Sequence, residues 1–488
     1  MYTIPEWPNK SLNWDSKLLE ILDEPKNVPR DDNLENFLNK SQAFPVKFPI
    51  DSMRCKTLKD TVDSNILERN INSAYPIIHE YALHLCAKFL LHKKQNGTVD
   101  EEGLYANMKL LSFVDRLLTK RAVMFMGRFD SYLLLNGTRG AGKWDLIGKD
   151  PRSRLSLENC LSYDEIKLSA FLSVSSFSYF INNGTRKNMG KIPSTRLNIE
   201  NEGVVIGLIG ARLKKIKVME YEEMVITKTQ NTEDNGYGEE DTLHTVFAHF
   251  YNEPCFTYNK MQTQANVEVG RFTSLGEDAF FDNTVFAKRI SLSIDTLLVE
   301  ANERAQYKNT TAFIHVVGIG LGVWKCSPHQ EELFVQVFGK RLESLGKSIP
   351  FVSDIFFSYI KAKQCNGCKS GDVMKIEDHP KGIKIHIGKR DPHVKLSGED
   401  TGKLLVVSYA WDGNALPGNE FWQGKLGSTG DSAAAASTQI TELHNCHINP
   451  KVCAANLRVV TSNGLKTIDE YVKSVQNSKE NWKTDSNG

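Results

Sequence analysis

Hydrophobic and polar positions change their spacing near residue 122, and this change divides the chain. Between residues 61 and 122 the apolar side chains recur every three or four residues, as they do on one face of a helix. They form two runs, Ile77, Ile78, Tyr81, Ala82, Leu85, Phe89 and Leu90, and then Leu104, Met108, Leu111, Phe113, Val114 and Leu117. Residues 1–60 are rich in Pro, Asn and Asp and indicate an irregular arm with a short helix. We therefore predict an N-terminal arm and helical region over residues 1–122.

From residue 123 onward, short β-branched or aromatic runs alternate with Gly and Asn turns and with helical segments. The predicted strands cover residues 122–126, 131–135, 204–209, 313–317, 383–387 and 404–409. The predicted helices cover residues 284–306, 329–346 and 433–444. Strands that alternate with helices predict an α/β fold, a mixed sheet flanked by helices, which we assign to residues 123–475. The polar residues 476–488 predict a frayed tail, and the polar loop 228–241 is long enough to suggest a function.

Composition and charge argue against several classes of partner. The 488 residues carry a net charge of +1, so the bulk charge gives no reason to expect a nucleic acid or an anionic membrane as partner. No apolar run approaches the roughly 18 residues of a spanning helix, and the first residues lack the pattern of a secretion signal. Nine cysteines, scattered without a disulfide spacing, are typical of a reducing compartment. We therefore expect a cytoplasmic protein.

The strongest candidate site follows the predicted strand at 404–409. Three carboxylates, Asp412, Glu420 and Asp431, lie beyond this strand among glycine and asparagine residues. Open α/β sheets bind ligands at the carboxyl ends of their strands, and acids buried there need a cation or a hydrogen-bond donor. The alternative is a plain turn with solvated acids. Asp431 or Ser432 is also a natural N-cap for the alanine-rich segment that follows, and such a helix start can bind a diphosphate.

Glycine and arginine residues in other loops suggest phosphate contacts. The predicted strand at 313–317 runs into Gly318, Gly320 and Gly322, which allow a phosphate to approach the backbone. The alternative is close packing of a strand against a helix. Arg139 and Arg186 each lie in a glycine-rich loop, where an arginine either binds phosphate or carboxylate or is simply solvated.

Cys365 and Cys368 form an isolated pair in a loop rich in Lys and Gly. A zinc site needs a second pair or histidines at ligand spacing, and His379, His386 and His393 do not supply that spacing. We therefore predict no metal and no cofactor.

Seven short strings occur in a consistent order between residues 125 and 450, within the segments 130–140, 180–186, 202–212, 230–238, 317–324, 409–420 and 430–450. Together they resemble the macrodomain-related family of MavL-like ADP-ribosylhydrolases. The resemblance implies a macrodomain-like core that binds ADP-ribose and an enzyme that removes mono-ADP-ribose from arginine side chains of proteins. It also implies an ADP-ribosylated protein as partner, with ubiquitin among the candidates.

The resemblance assigns roles to individual residues. The family's acidic catalytic residues map best onto Asp412, Glu420 and Asp431. At the last of these acids the family pattern has Asp-Pro-Ala-Ala after a glycine, whereas this chain has Asp431-Ser432-Ala-Ala, which changes a helix-start residue and keeps the acid. The positions assigned to ADP-ribose contact are Gly318, Gly320, Leu321, Gly322, Val323, Asn414, Gly418, Asn419, Gly430 and Ser432.

The chemistry of an ADP-ribosylated arginine suits a cluster of acids. The leaving group is a cationic, fork-shaped guanidinium, which carboxylates bind by charge and by bidentate geometry. Cleavage of the N-glycosidic bond passes through an oxocarbenium-like state, as in glycoside hydrolysis, where paired carboxylates act. Which acid activates the water is open. Two alternatives remain: a non-catalytic ADP-ribose reader, which needs the glycines but not the acids, and a hydrolase for other linkages.

Overall fold

Ten strands form the central sheet in the computed structural model, which describes residues 2–22, 27–150 and 152–485. The strands of the described chain are β1 (Tyr75–His79), β2 (Met124–Met126), β3 (Ser131–Leu133), β4 (Arg139–Gly140), β5 (Ser173–Tyr179), β6 (Glu202–Leu208), β7 (Val225–Thr227), β8 (Phe272–Gly276), β9 (Ala279–Asp282), β10 (Ala312–Val316), β11 (Val352–Ser358), β12 (Val373–Met374), β13 (Ile383–Gly388), β14 (Leu404–Ala410), β15 (Arg458–Thr461) and β16 (Gly464–Thr467).

The central sheet has the strand order β12-β13-β11-β10-β14-β6-β5-β1-β15-β16. The five strands β13, β11, β10, β14 and β6 run parallel, so their carboxyl ends meet at one edge. Ile314 of β10, for example, pairs with Ile355 of β11 and with Val406 of β14. The strand β5 is antiparallel to both β6 and β1. Two small antiparallel sheets, β2-β3-β4 and β7-β9-β8, complete the set.

Helices flank the central sheet. Those of the described chain are α1 (Ser16–Ile21), α2 (Leu34–Ala43), α3 (Cys55–Leu58), α4 (Ser64–Asn72), α5 (Glu80–Asn96), α6 (Val99–Tyr105), α7 (Leu110–Thr119), α8 (Tyr163–Ser169), α9 (Tyr221–Met224), α10 (Leu243–Phe250), α11 (Tyr258–Ala265), α12 (Asn283–Tyr307), α13 (Gln330–Leu345), α14 (Gly430–Ala435), α15 (Ile440–Leu443) and α16 (Ile468–Asp485). Among the described helices, none combines the length and apolar character that crossing a membrane requires.

The helix α12 is buried along most of its length between the sheet and α13. Its N-cap is Asp282, whose carboxylate accepts the backbone N–H groups of Thr284 and Val285. Its buried polar side chains are paired, because an unpaired charge inside a core is costly. Asp295 receives a fork of two hydrogen bonds from Arg341 at 2.7 and 2.9 Å, and Glu300 accepts the Nε–H of Arg304 at 2.6 Å.

The predicted α/β class, a large mixed sheet flanked by helices, is confirmed. One assignment was wrong: Ile77 and Ile78 lie in strand β1, and the helix begins after them at Glu80. Short buried apolar runs fit a strand and a helix equally well, so spacing alone does not separate them. Because β1 pairs with β5 and β15, the sheet crosses the expected boundary at residue 122, and the division into 1–122 and 123–475 stays a prediction.

Two further segments differ from expectation. The predicted helix at 433–444 is divided into α14 and α15, which residues 436–439 separate. Residues 476–485 belong to α16 and residues 486–488 lie outside the described chain, so the frayed tail over 476–488 stays a prediction. The strand β5 was not predicted, because its sequence, Ser-Val-Ser-Ser-Phe-Ser-Tyr, is rich in serine although the strand is largely buried.

Candidate active site

A cavity of about 1040 Å³ opens at the carboxyl edge of the parallel strands. The segments that follow β6, β10, β11, β13 and β14 contribute to its lining, because all five strands end at this edge. Other parts of the lining come from residues 126–128, 184–187 and 428–438. Its volume is at the upper end of the roughly 300–1,000 Å³ that is usual for small-molecule sites. The structure therefore offers space for a large ligand where open α/β sheets bind theirs.

Glycines shape the wall of this cavity after β10. Gly320 has a φ of +70°, and a β-carbon there would stand 3.0 Å from the backbone nitrogen of Ala211. A β-carbon on Gly210 would come within 2.1 Å of the backbone nitrogen of Gly320, so the loops after β6 and β10 touch backbone to backbone. Gly322 differs, because no heavy atom of the described chain lies within 4 Å of where its β-carbon would be. Its backbone is open to a ligand.

Asp412, the first of the three acids, follows β14 and is held by two side chains, those of Arg212 and Asn419. The guanidinium of Arg212 pairs with one carboxylate oxygen, and the Nδ2 of Asn419 donates to the other at 2.8 Å. Asn419 also exchanges two hydrogen bonds of 2.9 Å with the backbone of Phe125 in β2. Burial raises the pKa of Asp412, and the Arg212 charge opposes that shift. Asp412 therefore combines burial with a fixed cation and a fixed orientation.

Asp431 occupies the second position of helix α14 but does not cap it, which corrects the predicted N-cap. Thr429 is the cap, and it forms a capping box with Ser432. The Asp431 carboxylate instead accepts the backbone N–H of Gly418 at 2.9 Å and that of Asp412 at 3.3 Å. Burial raises the pKa of Asp431 well above its usual range, and the Glu420 charge adds to the shift. Asp431 thus fixes the loop that joins the other two acids.

Glu420 has the freest side chain of the three acids. It is only partly buried, and its carboxylate accepts a hydrogen bond of 2.8 Å from the hydroxyl of Thr429. Burial raises the pKa of Glu420, and the nearby Asp412 charge acts in the same direction. In the described chain neither Glu420 nor Asp431 forms an ion pair, whereas Asp412 is paired with Arg212. All three acids line the cavity. We call these three residues the site acids.

Most of the predicted contact residues line the cavity, namely Gly318, Gly320, Leu321, Gly322, Val323, Asn419 and Gly430. Asn414, Gly418 and Ser432 do not. The carbonyl of Asn414 accepts the backbone N–H of Ala122, and the N–H of Gly418 is donated to Asp431. Ser432 is fully buried, and its N–H is used by the capping box.

The residue that sequence reasoning missed is Arg212. It lies four residues beyond β6 and is fully buried; its backbone N–H donates to Glu220 at 3.1 Å, and its guanidinium contacts Asp412. The available signal was the segment Gly210-Ala-Arg212 after an apolar strand, the same arrangement that drew attention to the glycines after β10. Strand order was needed to see that β6 and β14 are neighbours.

Two histidines also line the cavity, and neither was predicted as a site residue. His393 is stacked on Phe180 with ring centroids 3.9 Å apart, and burial lowers its pKa to about 3. His315 contacts the carbonyl of Arg390 at 3.0 Å, and burial lowers its pKa to about 4. Both rings are therefore neutral at physiological pH and shape the wall without acting as acids there.

The two glycine-rich loops that carry Arg139 and Arg186 differ in their position relative to the cavity. Arg186 lines the cavity, and its guanidinium donates to the carbonyl of Ser428 at 3.5 Å. Arg139 lies exposed in β4 and is not part of the lining.

Cys365 and Cys368 form a tight turn, in which their backbone groups exchange hydrogen bonds of 2.8 and 2.9 Å.

A second group of buried acids lies outside this cavity. Lys167 is fully buried, and its ammonium lies 2.9 Å from Glu222, 2.8 Å from Glu223 and 3.8 Å from Asp164. We call Asp164, Glu222 and Glu223 the lysine-centred acids. Within the described chain, one group of side chains is close enough to share a metal ion, Glu222, Glu223 and His244. Because Lys167 already donates to both glutamates, this group gives no support for a metal.

The loop 228–241 borders the small cavity beside these acids instead of the large one. Its Tyr237 is stacked on His244, with ring centroids 4.1 Å apart, and donates to the carbonyl of Glu222 at 3.2 Å. The small cavity has a volume of about 40 Å³, enough for water and not for a nucleotide. The structure thus gives this loop a packing role.

Comparison of the sequence with known families assigns the chain to a family of hydrolases. Residues 35–474 match the family of MavL-like ADP-ribosylhydrolases, and the chain belongs to that family. Two relatives from Drosophila melanogaster, ADP-ribosylarginine hydrolase CG2909 and ADP-ribosylarginine hydrolase CG3568, are each 42% identical to it. The first alignment covers 92% of this chain and 91% of the relative, and the second covers 96% and 94%.

Proposed function

We propose that this protein is an ADP-ribosylarginine hydrolase, which removes mono-ADP-ribose from arginine side chains by cleaving the bond between ribose and guanidinium. One observation carries the proposal: two buried acids, one partly buried acid and one cation line a glycine-walled cavity in a member of an ADP-ribosylhydrolase family, and the pKa of each acid is raised. Groups with raised pKa values in a cavity are typical of acid–base chemistry. The printed names of the two Drosophila relatives agree with arginine as the linkage.

The ligand follows the edge of the sheet in this proposal. Neighbouring strands lie about 4.8 Å apart, so the path from the end of β14 across β10 and β11 to β13 is about 14 Å long. The reacting ribose lies at the site acids after β14, and the diphosphate lies over Gly318, Gly320 and Gly322 after β10. Adenosine then extends toward the ends of β11 and β13. We include in the proposal that this part of the chain is a macrodomain-like ADP-ribose-binding core.

The three acids divide the chemistry. Glu420 has the freest carboxylate and accepts a proton from the attacking water, whose oxygen bonds to the anomeric carbon of the ribose. Arg212 favours the charged form of Asp412, and that charge stabilises the positive charge that develops on the ribose. Asp431 fixes the backbone between them. When the carbon–nitrogen bond breaks, its electron pair goes to the guanidine nitrogen, which takes up the proton that Glu420 received.

The reader alternative predicts binding without turnover. It leaves the raised pKa values of the three acids unexplained, since each raised pKa is a cost of folding. A hydrolase for other linkages has neutral or anionic leaving groups, which give less reason for a cluster of three acids than a cationic guanidinium does. Ubiquitin as a substrate, the absence of a nucleic-acid partner, the lack of a cofactor and a cytoplasmic location all stay predictions.

A panel of linkages tests the proposal. We would incubate the protein with peptides that carry mono-ADP-ribose on arginine, serine or glutamate and measure the released ADP-ribose. We expect release from the arginine peptide and no release from the other two. Comparable release from serine or glutamate would favour the alternative linkages. Binding of free ADP-ribose without release from any peptide would favour the reader.

A further inference from the structure

Three loops beside the site acids each expose a large apolar side chain. Phe129, Met189 and Ile216 are 64%, 52% and 64% exposed, respectively. They belong to residues 127–130, 184–190 and 213–217, and each of these segments also contributes residues to the lining of the cavity. We call these three segments the rim loops. Apolar side chains kept at the mouth of a cavity are typical of a surface that another molecule covers.

Contacts tie two of the rim loops directly to the site acids. The loop 213–217 follows Arg212, which pairs with Asp412. The loop 127–130 follows β2, which the amide of Asn419 joins to Asp412. These two loops are also joined to each other, because Lys215 pairs with Asp130. Both loops therefore have a fixed position relative to Asp412.

The third rim loop meets the segment that precedes α14. Arg186 donates to the carbonyl of Ser428, and a β-carbon on Gly427 would stand 2.2 Å from the carbonyl oxygen of Arg186. The next residue along that segment, Thr429, donates to Glu420 at 2.8 Å. The rim loops thus surround the site acids and not the far end of the cavity after β13.

The charge of the rim loops has one sign. Their exposed charged residues are basic, namely Arg128, Arg186, Lys187, Lys214 and Lys217. The acid in these segments, Asp130, is buried and paired with Lys215. Basic surfaces speed the encounter with acidic partners and slow the encounter with basic ones. A partner that covers the rim is therefore acidic as well as partly apolar.

We propose that the rim loops bind the surface of the substrate protein around its modified arginine, and that this surface carries apolar and acidic side chains. The inference rests on the proposed function. An arginine side chain is short, so a folded protein whose modified arginine reaches the site acids must lie against the loops beside them. The rim loops then select among ADP-ribosylated proteins, while the cavity binds the ADP-ribose that all of them share.

Two substrates separate selection from chemistry. The first is free ADP-ribosylarginine, which fills the cavity and does not reach the rim. The second is a folded protein that is mono-ADP-ribosylated on one arginine between acidic and apolar surface residues. The variants are Phe129→Ser, Ile216→Ser and Lys217→Glu, none of which changes a residue that lines the cavity. We expect kcat/KM on the modified protein to fall about tenfold for each variant, mainly through KM, and kcat/KM on free ADP-ribosylarginine to stay unchanged.

Matched variants at the opposite edge of the sheet provide the controls. Tyr307 is 76% exposed and lies before the start of β10, and Lys381 is exposed before the start of β13. Tyr307→Ser and Lys381→Glu should leave both substrates unaffected. In addition, we would replace the flanking acids of the substrate protein by lysine. With the wild-type enzyme, kcat/KM should be lower on this second substrate protein than on the first, and Lys217→Glu should restore part of the difference.

The outcomes are distinct from those that test the proposed function. If the rim variants lost turnover on both substrates, or had no effect on turnover of the modified protein, the docking role would be overturned. The proposed hydrolase function would still stand. No turnover of either substrate by the wild-type protein would instead reject the proposed function.

Discussion

Two groups of three buried or partly buried acids in this protein differ in what surrounds them. The lysine-centred acids contact the ammonium of Lys167, and Asp164 also pairs with Lys93 at 2.9 Å. The site acids include one ion pair, between Asp412 and Arg212. The first group borders a cavity of about 40 Å³ and the second a cavity of about 1040 Å³. Carboxylates are buried in both places, yet only one group has room for a further cation.

The comparison separates a raised pKa from a functional role. Burial raises the pKa of Glu223 to about 8, although Lys167 opposes the shift, and burial also raises the pKa of Glu420. By pKa alone, Glu223 is the more perturbed candidate. It lies beside a space too small for a nucleotide, however, and its partner is already in place. The useful signal is therefore a perturbed acid that faces ligand-sized space and lacks a cation partner.

The largest effect on stability should come from Asp412→Asn. The change leaves the buried guanidinium of Arg212 opposite a neutral amide, and removing one partner of a buried ion pair typically costs about 3–5 kcal/mol. We expect chemical denaturation to report a loss of this size. Glu222→Gln should cost less, because Lys167 keeps Glu223 and Asp164 as partners. If Asp412→Asn were as stable as the wild type, the ion pair between Arg212 and Asp412 would not stabilise the fold. The contrast drawn between the two groups of acids would then be wrong.

The next effect concerns the large cavity, where a bulkier residue at position 322 should weaken the binding of ADP-ribose. Gly322→Val adds bulk where no heavy atom of the described chain lies within 4 Å, so the fold should be kept while the diphosphate path is narrowed. We expect the Kd for ADP-ribose to rise about tenfold by calorimetry, which corresponds to about 1.4 kcal/mol, with Gly322→Ala in between. Gly320→Val is a poor test, because φ is +70° there and the added atoms meet Ala211. Unchanged affinity in a folded Gly322→Val variant would remove the diphosphate from this loop.

A smaller effect should appear in the pH profile. Glu420 must be deprotonated to accept a proton, so turnover falls as the pH drops through its pKa. Because burial raises that pKa, the fall should begin at a higher pH than the ordinary value of about 4.3 implies. The hydroxyl of Thr429 lowers the pKa of Glu420, so Thr429→Val should move the acidic limb of turnover to higher pH, whereas Thr429→Ser should not.

The lysine-centred acids provide the control for this profile. Glu223→Gln removes the group with the larger shift, yet it should leave the acidic limb of turnover in place, because Glu223 does not line the large cavity. A shift of the limb in Glu223→Gln, or its absence in Thr429→Val, would show that another group controls turnover.

Local sequence was sufficient to predict that the three acids and the glycines after β10 lie near one another, and they do line one cavity. An apolar run at 404–409 followed by acids, and another at 313–317 followed by glycines, predict two strand ends, and parallel strands bring such ends to one edge. Long-range pairing was not accessible in this way. The contact between Arg212 and Asp412 depends on β6 and β14 being neighbours, which the sequence order of the strands does not reveal.

Competition between equivalent residues explains the errors at finer scale. Three residues here are able to cap a helix, namely Thr429, Asp431 and Ser432. The Asp431 carboxylate is already used by the N–H groups of Asp412 and Gly418. Thr429 is therefore the residue that caps α14. The same fact changes the meaning of a substitution. Asp431→Asn replaces one of the two carboxylate oxygens that accept backbone N–H groups with an NH2 donor, and it therefore disturbs the loop as well as the charge.

The most direct test of the account is the release of ADP-ribose from an arginine-modified protein by Glu420→Gln, measured beside its melting temperature and its Kd for ADP-ribose. The variant keeps the size of the side chain and its bond to Thr429, and Glu222→Gln serves as the matched control outside the large cavity. We predict a rate about 10²–10⁴-fold below wild type for Glu420→Gln, with folding and affinity retained, and an unchanged rate for Glu222→Gln. Turnover at the wild-type rate by Glu420→Gln would contradict the account.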